Sequence, residues 1–254
     1  RDSFRGGAQG VLLALVDSVS GLIWPPVVAG CEEAAAWQRL FERGKEAGLD
    51  LDALRGVVSD RASGLRGYLN RTLTWVNVQH CVWHLWRSLS EKLARCARQA
   101  AVGLKGAAAQ AAREQARQTL AGLLHSVLDT KSREEAREAW RKLLAEPLGA
   151  TVQKMLAPYV DTVLTHLCSY NRGLSRVAPE WYWRDFRLRL SRGRNHGTEE
   201  GLERAGLLWA VYRNFTPAQW RSERKRQYKH PGQSPLEVAG IELGGISYLD
   251  ALGI

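Results

Sequence analysis

No apolar run in the 254 residues is long enough to cross a bilayer. The stretch from Gly10 to Val16 is too short and stops against Asp17. The start lacks an apolar segment leading to a small-residue cleavage site, so export by a signal peptide is not expected. Cysteine is scarce. Cys31, Cys81, Cys96 and Cys168 are scattered and form no C-x-x-C pair, which excludes a disulfide framework and a four-cysteine zinc site and fits a reducing, cytoplasmic setting. Acidic residues are in deficit, 26 against 36 lysines and arginines, for a formal charge of +10. That surplus is silent about fold but favours a polyanionic partner, nucleic acid or an acidic membrane. No internal repeat is visible. The 45% hydrophobic content is enough for a sizeable core and argues against wholesale disorder.

The run Gly10 to Val16 reads as a buried central strand ending in Asp17. Ser18 to Gly21 is a turn signal, and Leu22 to Val28 resumes an apolar, β-branched run, so a hairpin is expected. Pro25 and Pro26 limit its second strand. Cys31 to Gly48 shifts to helical spacing through Ala34, Trp37, Leu40 and Phe41. Arg55 to Asp60 is a second short strand ending in an acid. Ser63 to Leu73 reads as helix and Trp75 to Gln79 as strand. This alternation implies an α/β domain with a mixed sheet and flanking helices.

From Cys81 to about Leu167 strand signals vanish, and leucines recur three or four apart, as at Leu120, Leu123, Leu124 and Leu128. This predicts three or four helices, broken near Gly103–Gly106, Thr130–Ser132 and Pro147–Gly149. Pro179 favours a helix start that puts Glu180 in its first turn. A further helix is expected from about Thr198 to Phe215. The organisation expected is a core segment over residues 1–90, an all-α insertion over 91–175, a return to the core over 176–215, and a basic tail over 216–254.

Ligands bind where strands of an α/β sheet end. Asp17 and Asp60 each close an apolar strand. Each alone also reads as a turn or cap residue. Two carboxylates held close repel unless a cation intervenes, and hard divalent ions take such oxygen donors. A third acid would complete a two-ion site for phosphoryl transfer.

These residues resemble a known family. Asp17 with Ser20-Gly21, Trp37 and Leu40, Gly48-Leu49, Val57 to Asp60, Gly64-Leu65, and the run Gln79-His80-Cys81 with His84 and Arg87 are similar to the Mutator-like DDE transposases and their bacterial insertion-sequence relatives. The pattern covers residues 11 to 90 well and 178 to 215 more loosely. The resemblance implies an RNase H-like core interrupted by an all-α insertion. It implies Asp17, Asp60 and Glu180 as catalytic, metal-holding acids with two Mg²⁺ or Mn²⁺ ions. It also implies DNA as partner (transposon ends and target), a homo-oligomer on that DNA, no membrane, and a nucleoid-associated location if the source is bacterial. The asparagine-rich approach common before the third acid is replaced by Val177-Ala178-Pro179, and Glu199, Glu200 and Glu203 compete with Glu180.

Cys81 and His84 read as structural residues beside the acids. As zinc ligands they would need partners from His80, His166, Cys168 or His196; His84 is also a candidate for touching a phosphate. Arg184, Arg187, Arg189, Arg192 and Arg194 follow Glu180 closely and are expected to draw the DNA backbone in, as are Lys225 and Arg226 within the cluster Arg221 to Lys229. The bland alternative for these arginines is a solvated helix face. Trp181 and Trp183 suit either stacking on an unpaired base or core packing. Two other functions fit the same residues: a nuclease that cuts without joining, and a non-catalytic DNA-binding protein derived from a transposase.

Overall fold

The computed structural model describes residues 2–3, 9–168, 171, 174–178, 180–190, 197–217 and 232–253, with backbone alone at 2, 3, 9, 180, 181, 189 and 190. The chain is a mixed α/β protein that divides into two compact units. One unit comprises Arg1–Leu54, Ala62–Thr74 and Pro179–Ile254, the other Arg55–Arg61 and Trp75–Ala178.

The first unit carries a three-stranded antiparallel sheet of β1 (Asp2–Ser3), β2 (Gln9–Leu13) and β3 (Val27–Ala29). Successive β2 side chains point to opposite faces. Val11 and Leu13 join the core under α1 (Ala34–Glu46). Leu12 joins the other core, whose members include Tyr182, Phe186 and Trp209. Burial on both faces is why this strand reads as an unbroken apolar run. The expected hairpin is present, pairing Val11 with Ala29 and Leu13 with Val27. Its second strand is shorter than the sequence suggests: only a Val16–Ile23 bridge lies nearer the turn. Pro25 and Pro26 have no N–H to give the ladder.

Helix α1 ends at Gly48, whose φ of +96° suits glycine. There the Leu49 N–H donates to the Gly44 carbonyl at 2.8 Å. Helix α2 (Ser63–Thr72) packs on α1 through stacked Phe41 and Tyr68 rings, 5.1 Å apart.

The second unit opens on β4 (Gly56–Ser59) and β5 (Asn77–His80), a parallel pair matching Ser59 with His80. The strands therefore fall into two small sheets, one per unit, rather than one mixed sheet. Beyond β5 the described elements are helical: α3 (Val82–Ala100), α4 (Gly106–Leu128), α5 (Arg133–Leu143), α6 (Gly149–Leu156), α7 (Val160–Val163) and a 3₁₀ turn at Thr165–Leu167. The breaks fall at the expected glycine, serine and proline positions. The leucine stripe does what the spacing predicts, since Leu120, Leu124 and Leu128 are fully buried with Leu85, Leu89 and Leu156.

Helix α8 (Glu180–Leu190) and α9 (Glu199–Phe215) return the chain to the first unit. Thr198 caps α9, its hydroxyl accepting from Gly201 N–H at 3.0 Å. Two short capping-box helices, α10 (Pro235–Val238) and α11 (Tyr248–Ala251), close the described chain. No helix among the described residues is long and apolar enough to cross a membrane.

Candidate catalytic carboxylates

Asp17 sits at the corner of the β2–β3 hairpin. Its backbone N–H donates to Leu22 C=O at 2.8 Å and its carbonyl accepts from Gly21 N–H at 3.0 Å. Its Oδ1 accepts from Val19 N–H at 3.1 Å, Ser20 N–H at 2.6 Å and the Ser20 hydroxyl at 2.7 Å. This is an Asx turn, the local bonding that aspartate brings to loop corners. All three bonds use one oxygen, and Oδ2 accepts none among the described residues. Helix α9 fixes the corner: Asn214 Oδ1 accepts from Ile23 N–H and its Nδ2 donates to Ile23 C=O, both at 2.8 Å. The asparagine thus acts as a substitute strand partner beside the bridge.

Asp60 is exposed and follows β4 directly. Ser59, just before it, is held by its hydroxyl donating to the Asp60 carbonyl at 2.7 Å. The Ser59 carbonyl in turn accepts from Cys81 N–H at 2.8 Å.

Cys81 is fully buried at the start of α3. Its Sγ accepts from Ala178 N–H at 3.3 Å. Burial pushes the thiol up, but hydrogen bonds from His84 and from Ala178 outweigh it and hold Cys81 below the ordinary thiol range. Cys81 thus joins the strand end that carries Asp60 to the segment ending at Ala178, two residues ahead of Glu180 in the chain. Further bonds pin the same segment. Arg176 C=O accepts from Val82 N–H at 2.9 Å. Its guanidinium reaches the Leu128 carbonyl and, at 2.9 Å, Asp129 Oδ1. That guanidinium, with His125, holds the Asp129 carboxyl below the usual carboxylate range.

Serine at position 81 keeps a hydrogen-bond acceptor, whereas alanine leaves the Ala178 N–H without one. Cys81→Ala is therefore expected to unfold at a midpoint at least about 2 °C below that of Cys81→Ser, since a part-buried donor left unsatisfied costs ~1 kcal/mol or more. Equal behaviour of the two variants would remove this role from the sulfur.

Sequence reasoning quoted Gln79 but gave it no task. It is completely buried and fully bonded. Its Nε2 donates to the His80 and Val163 carbonyls at 2.7 and 2.8 Å, and its Oε1 accepts from His166 N–H at 2.8 Å. His166 Nδ1 lies 3.1 Å from the same oxygen, and Nε2 is buried without a hydrogen-bond partner. Burial, followed by the nearby Arg176 charge, lowers the His166 pKa. A glutamine before a His–Cys pair was the available signal, but its burial was not legible.

The expected site residues divide as follows. Asp17 and the backbone of the helix beginning at Glu180 belong to the first unit, and Asp60 to the second. The side chains of Glu180, Trp181 and Arg189 lie outside the described residues. So do Arg192, Arg194, His196, Arg221, Arg224, Lys225, Arg226 and Lys229 entirely. Arg184 and Arg187 are exposed on α8, with Arg184 Nε 3.8 Å from Asp185. Trp183 is half-buried against the Tyr182–Phe186 core. Glu199 and Glu200 are exposed in the first turn of α9, where acids complement the helix dipole. Glu203 is paired with Arg43, which also donates to the Pro26 carbonyl at 3.2 Å. Among the described residues no three of His, Cys, Asp and Glu gather as a metal cage.

The family model for the Mutator family of transposases matches residues 21–149, just over half of the chain. The chain belongs to that family and is a transposase. No curated protein and no solved structure matches it.

Proposed function

We propose that the chain is a DDE transposase on an RNase H-like core, cleaving DNA at transposon ends and joining the freed 3′-hydroxyl to target DNA. One observation carries this reading: each strand pair is followed by a carboxylate. Asp17 keeps Oδ2 after Oδ1 has closed its turn, and Asp60 stands exposed directly after β4. All-oxygen donors of this kind fit Mg²⁺ or Mn²⁺. Two such ions, when bound, supply Lewis acidity and lower the pKa of an attacking water. Asp17, Asp60 and Glu180 hold them, and the same carboxylates serve cleavage and joining. Glu180 is preferred as the third acid because Glu203 already neutralises Arg43, while Glu199 and Glu200 sit in the first turn of a capped helix. Arg184 and Arg187, four and seven residues on, share its helix face and attract the DNA backbone. Joining two ends implies at least two copies of the chain on the DNA.

Mn²⁺ binding followed by electron paramagnetic resonance tests the acids directly. The unaltered chain is expected to bind the ion, and Asp60→Asn and Glu180→Gln each to weaken it by about tenfold or more, whereas Glu203→Gln leaves it unchanged. No binding by the unaltered chain overturns the reading. Weakening by Glu199→Gln or Glu203→Gln in place of Glu180→Gln moves only the third acid. Paired-end DNA then separates functions: cleaved but unjoined product defines a nuclease.

A further inference from the structure

Helix α5 is sorted by charge. Its acids each have a structural task. Glu135 Oε2 accepts from Lys131 N–H at 2.8 Å while Ser132 caps Glu135 N–H at 3.1 Å. Glu134 lies in the first turn beside Glu135, where carboxylates complement the helix dipole. Glu138 contacts Arg141 at 3.1 Å and Lys142 at 3.6 Å.

Arg133 and Arg137 have no such task. Both are exposed and neither makes an ion pair among the described residues. Arg133 is the first residue of the helix, the position where a cation opposes the dipole and costs up to ~1 kcal/mol. Local stability therefore gives no reason for it. Arg133, Arg137 and Arg141 recur every fourth residue, so they form one ridge.

That ridge lines a groove of about 550 Å³ within the second unit. Trp140 and Leu164 give the groove an apolar wall, and Asp161 is the acid that lines it. Trp140 is half-buried against the helical core, which fixes the wall. With Arg141 shared with Glu138, Arg133 and Arg137 against Asp161 still leave the groove positive. Three arginines spaced four apart span ~12 Å of helix. A DNA strand places a phosphate every ~3.4 Å of duplex axis, so a ridge laid along the axis spans roughly three to four phosphate steps, about one arginine to every second phosphate, with deoxyribose against the apolar wall.

We infer that the α5 groove, lined by Arg133, Arg137 and Arg141, is a sequence-independent binding site for the DNA sugar-phosphate backbone. It rests on the proposed DNA-processing function and adds a contact remote in sequence from all three acids. Because only phosphates are met, it positions DNA and reads no bases.

The test is a salt titration of duplex DNA binding by fluorescence anisotropy, with the whole chain. The triple variant Arg133→Ala, Arg137→Ala, Arg141→Ala is compared with Lys92→Ala, Arg113→Ala, Lys154→Ala, which removes equal charge from exposed positions outside the groove. Each lost phosphate contact removes about 0.9 from the slope of log affinity against log salt. The groove variant is expected to lose roughly 2 to 3 from that slope and the control less than about 1. Circular dichroism is expected to show an unchanged or higher unfolding midpoint for the groove variant, since alanine is the better helix former and the opposing charge is gone. Equal slopes in the two variants overturn the groove alone. Failure of the unaltered chain to bind DNA overturns both the groove and the function on which it rests.

Discussion

Asp17→Asn and Asp60→Asn are each expected to abolish DNA cleavage, by at least about 10³-fold, while leaving the fold in place. An ion's stabilisation of developing charge is worth several kcal/mol, and each ~1.4 kcal/mol is tenfold in rate. The Asp17 substitution is informative because of how the hairpin corner is built. Three donors converge on Oδ1. Asparagine retains a carbonyl oxygen at that position and favours the same turn. It removes the charge and presents an amide nitrogen where Oδ2 stood, which no cation will bind. Asp17→Ala removes the turn as well and is expected to cost a further ~1–2 kcal/mol of stability. Matched unfolding midpoints for the unaltered chain and Asp17→Asn, with cleavage lost, assign the acid to chemistry. Retained cleavage in Asp17→Asn or Asp60→Asn would falsify the catalytic assignment and favour a DNA-binding protein without chemistry.

Two glycines on α2 are expected to respond in opposite directions. A Cβ on Gly64 would stand 2.0 Å from the Glu32 carbonyl oxygen and 2.8 Å from the Glu33 carbonyl carbon. Both are backbone atoms of the segment leading into α1, so no rotamer change relieves the contact. Accommodating alanine means shifting α2 away from α1, against the packing of fully buried Leu65, Leu69, Leu40 and Phe41. Overpacking of this kind costs ~1–3 kcal/mol or more. For a chain of this size that is a fall in Tm of roughly 3–10 °C. Gly67, three residues on, has only the Ala34 Cβ nearby, at 4.0 Å. Gly67→Ala is expected to stabilise by up to ~1 kcal/mol through helix propensity. Thermal melts of the two variants check both signs; a harmless Gly64→Ala would mean that the close approach of α2 to the Glu32–Glu33 backbone does not exist in solution.

The Gly64 result also explains a motif. Gly64-Leu65 is part of the resemblance to the family, and the structure supplies its reason: the glycine permits the approach and the leucine fills the core it creates. Gln79 is similar. Its place before His80 and Cys81 is visible in the sequence, but three of its four bonds are made with Val163 and His166, more than 80 residues away. No local pattern encodes that distance.

The two readings of Asp17, turn residue and site residue, do not exclude each other. Oδ1 performs the first task and leaves Oδ2 for the second. The arginine ridge of α5 is not legible in the sequence, because a four-residue repeat of Arg on a helix is the same whether it faces water or lines a groove.

By itself the sequence determined where the helices begin and end, because those limits are set locally. Glycine at positive φ, proline without an N–H, serine and threonine caps and the helical spacing of leucines all act within one turn of chain. It also determined that β2 is buried on both faces and that Asp17 and Asp60 follow strands. Beyond the β2–β3 hairpin, only the tertiary structure decided which strands pair. A period-2 pattern shows that a strand has a partner but not which one, and here the strands divide into β1-β2-β3 and β4-β5. Tertiary structure alone also decided that the segment 176–178 is tied, through Cys81 and Val82, to the strand end carrying Asp60. Those bonds join residues about 100 positions apart, and only packing brings such residues within hydrogen-bonding reach.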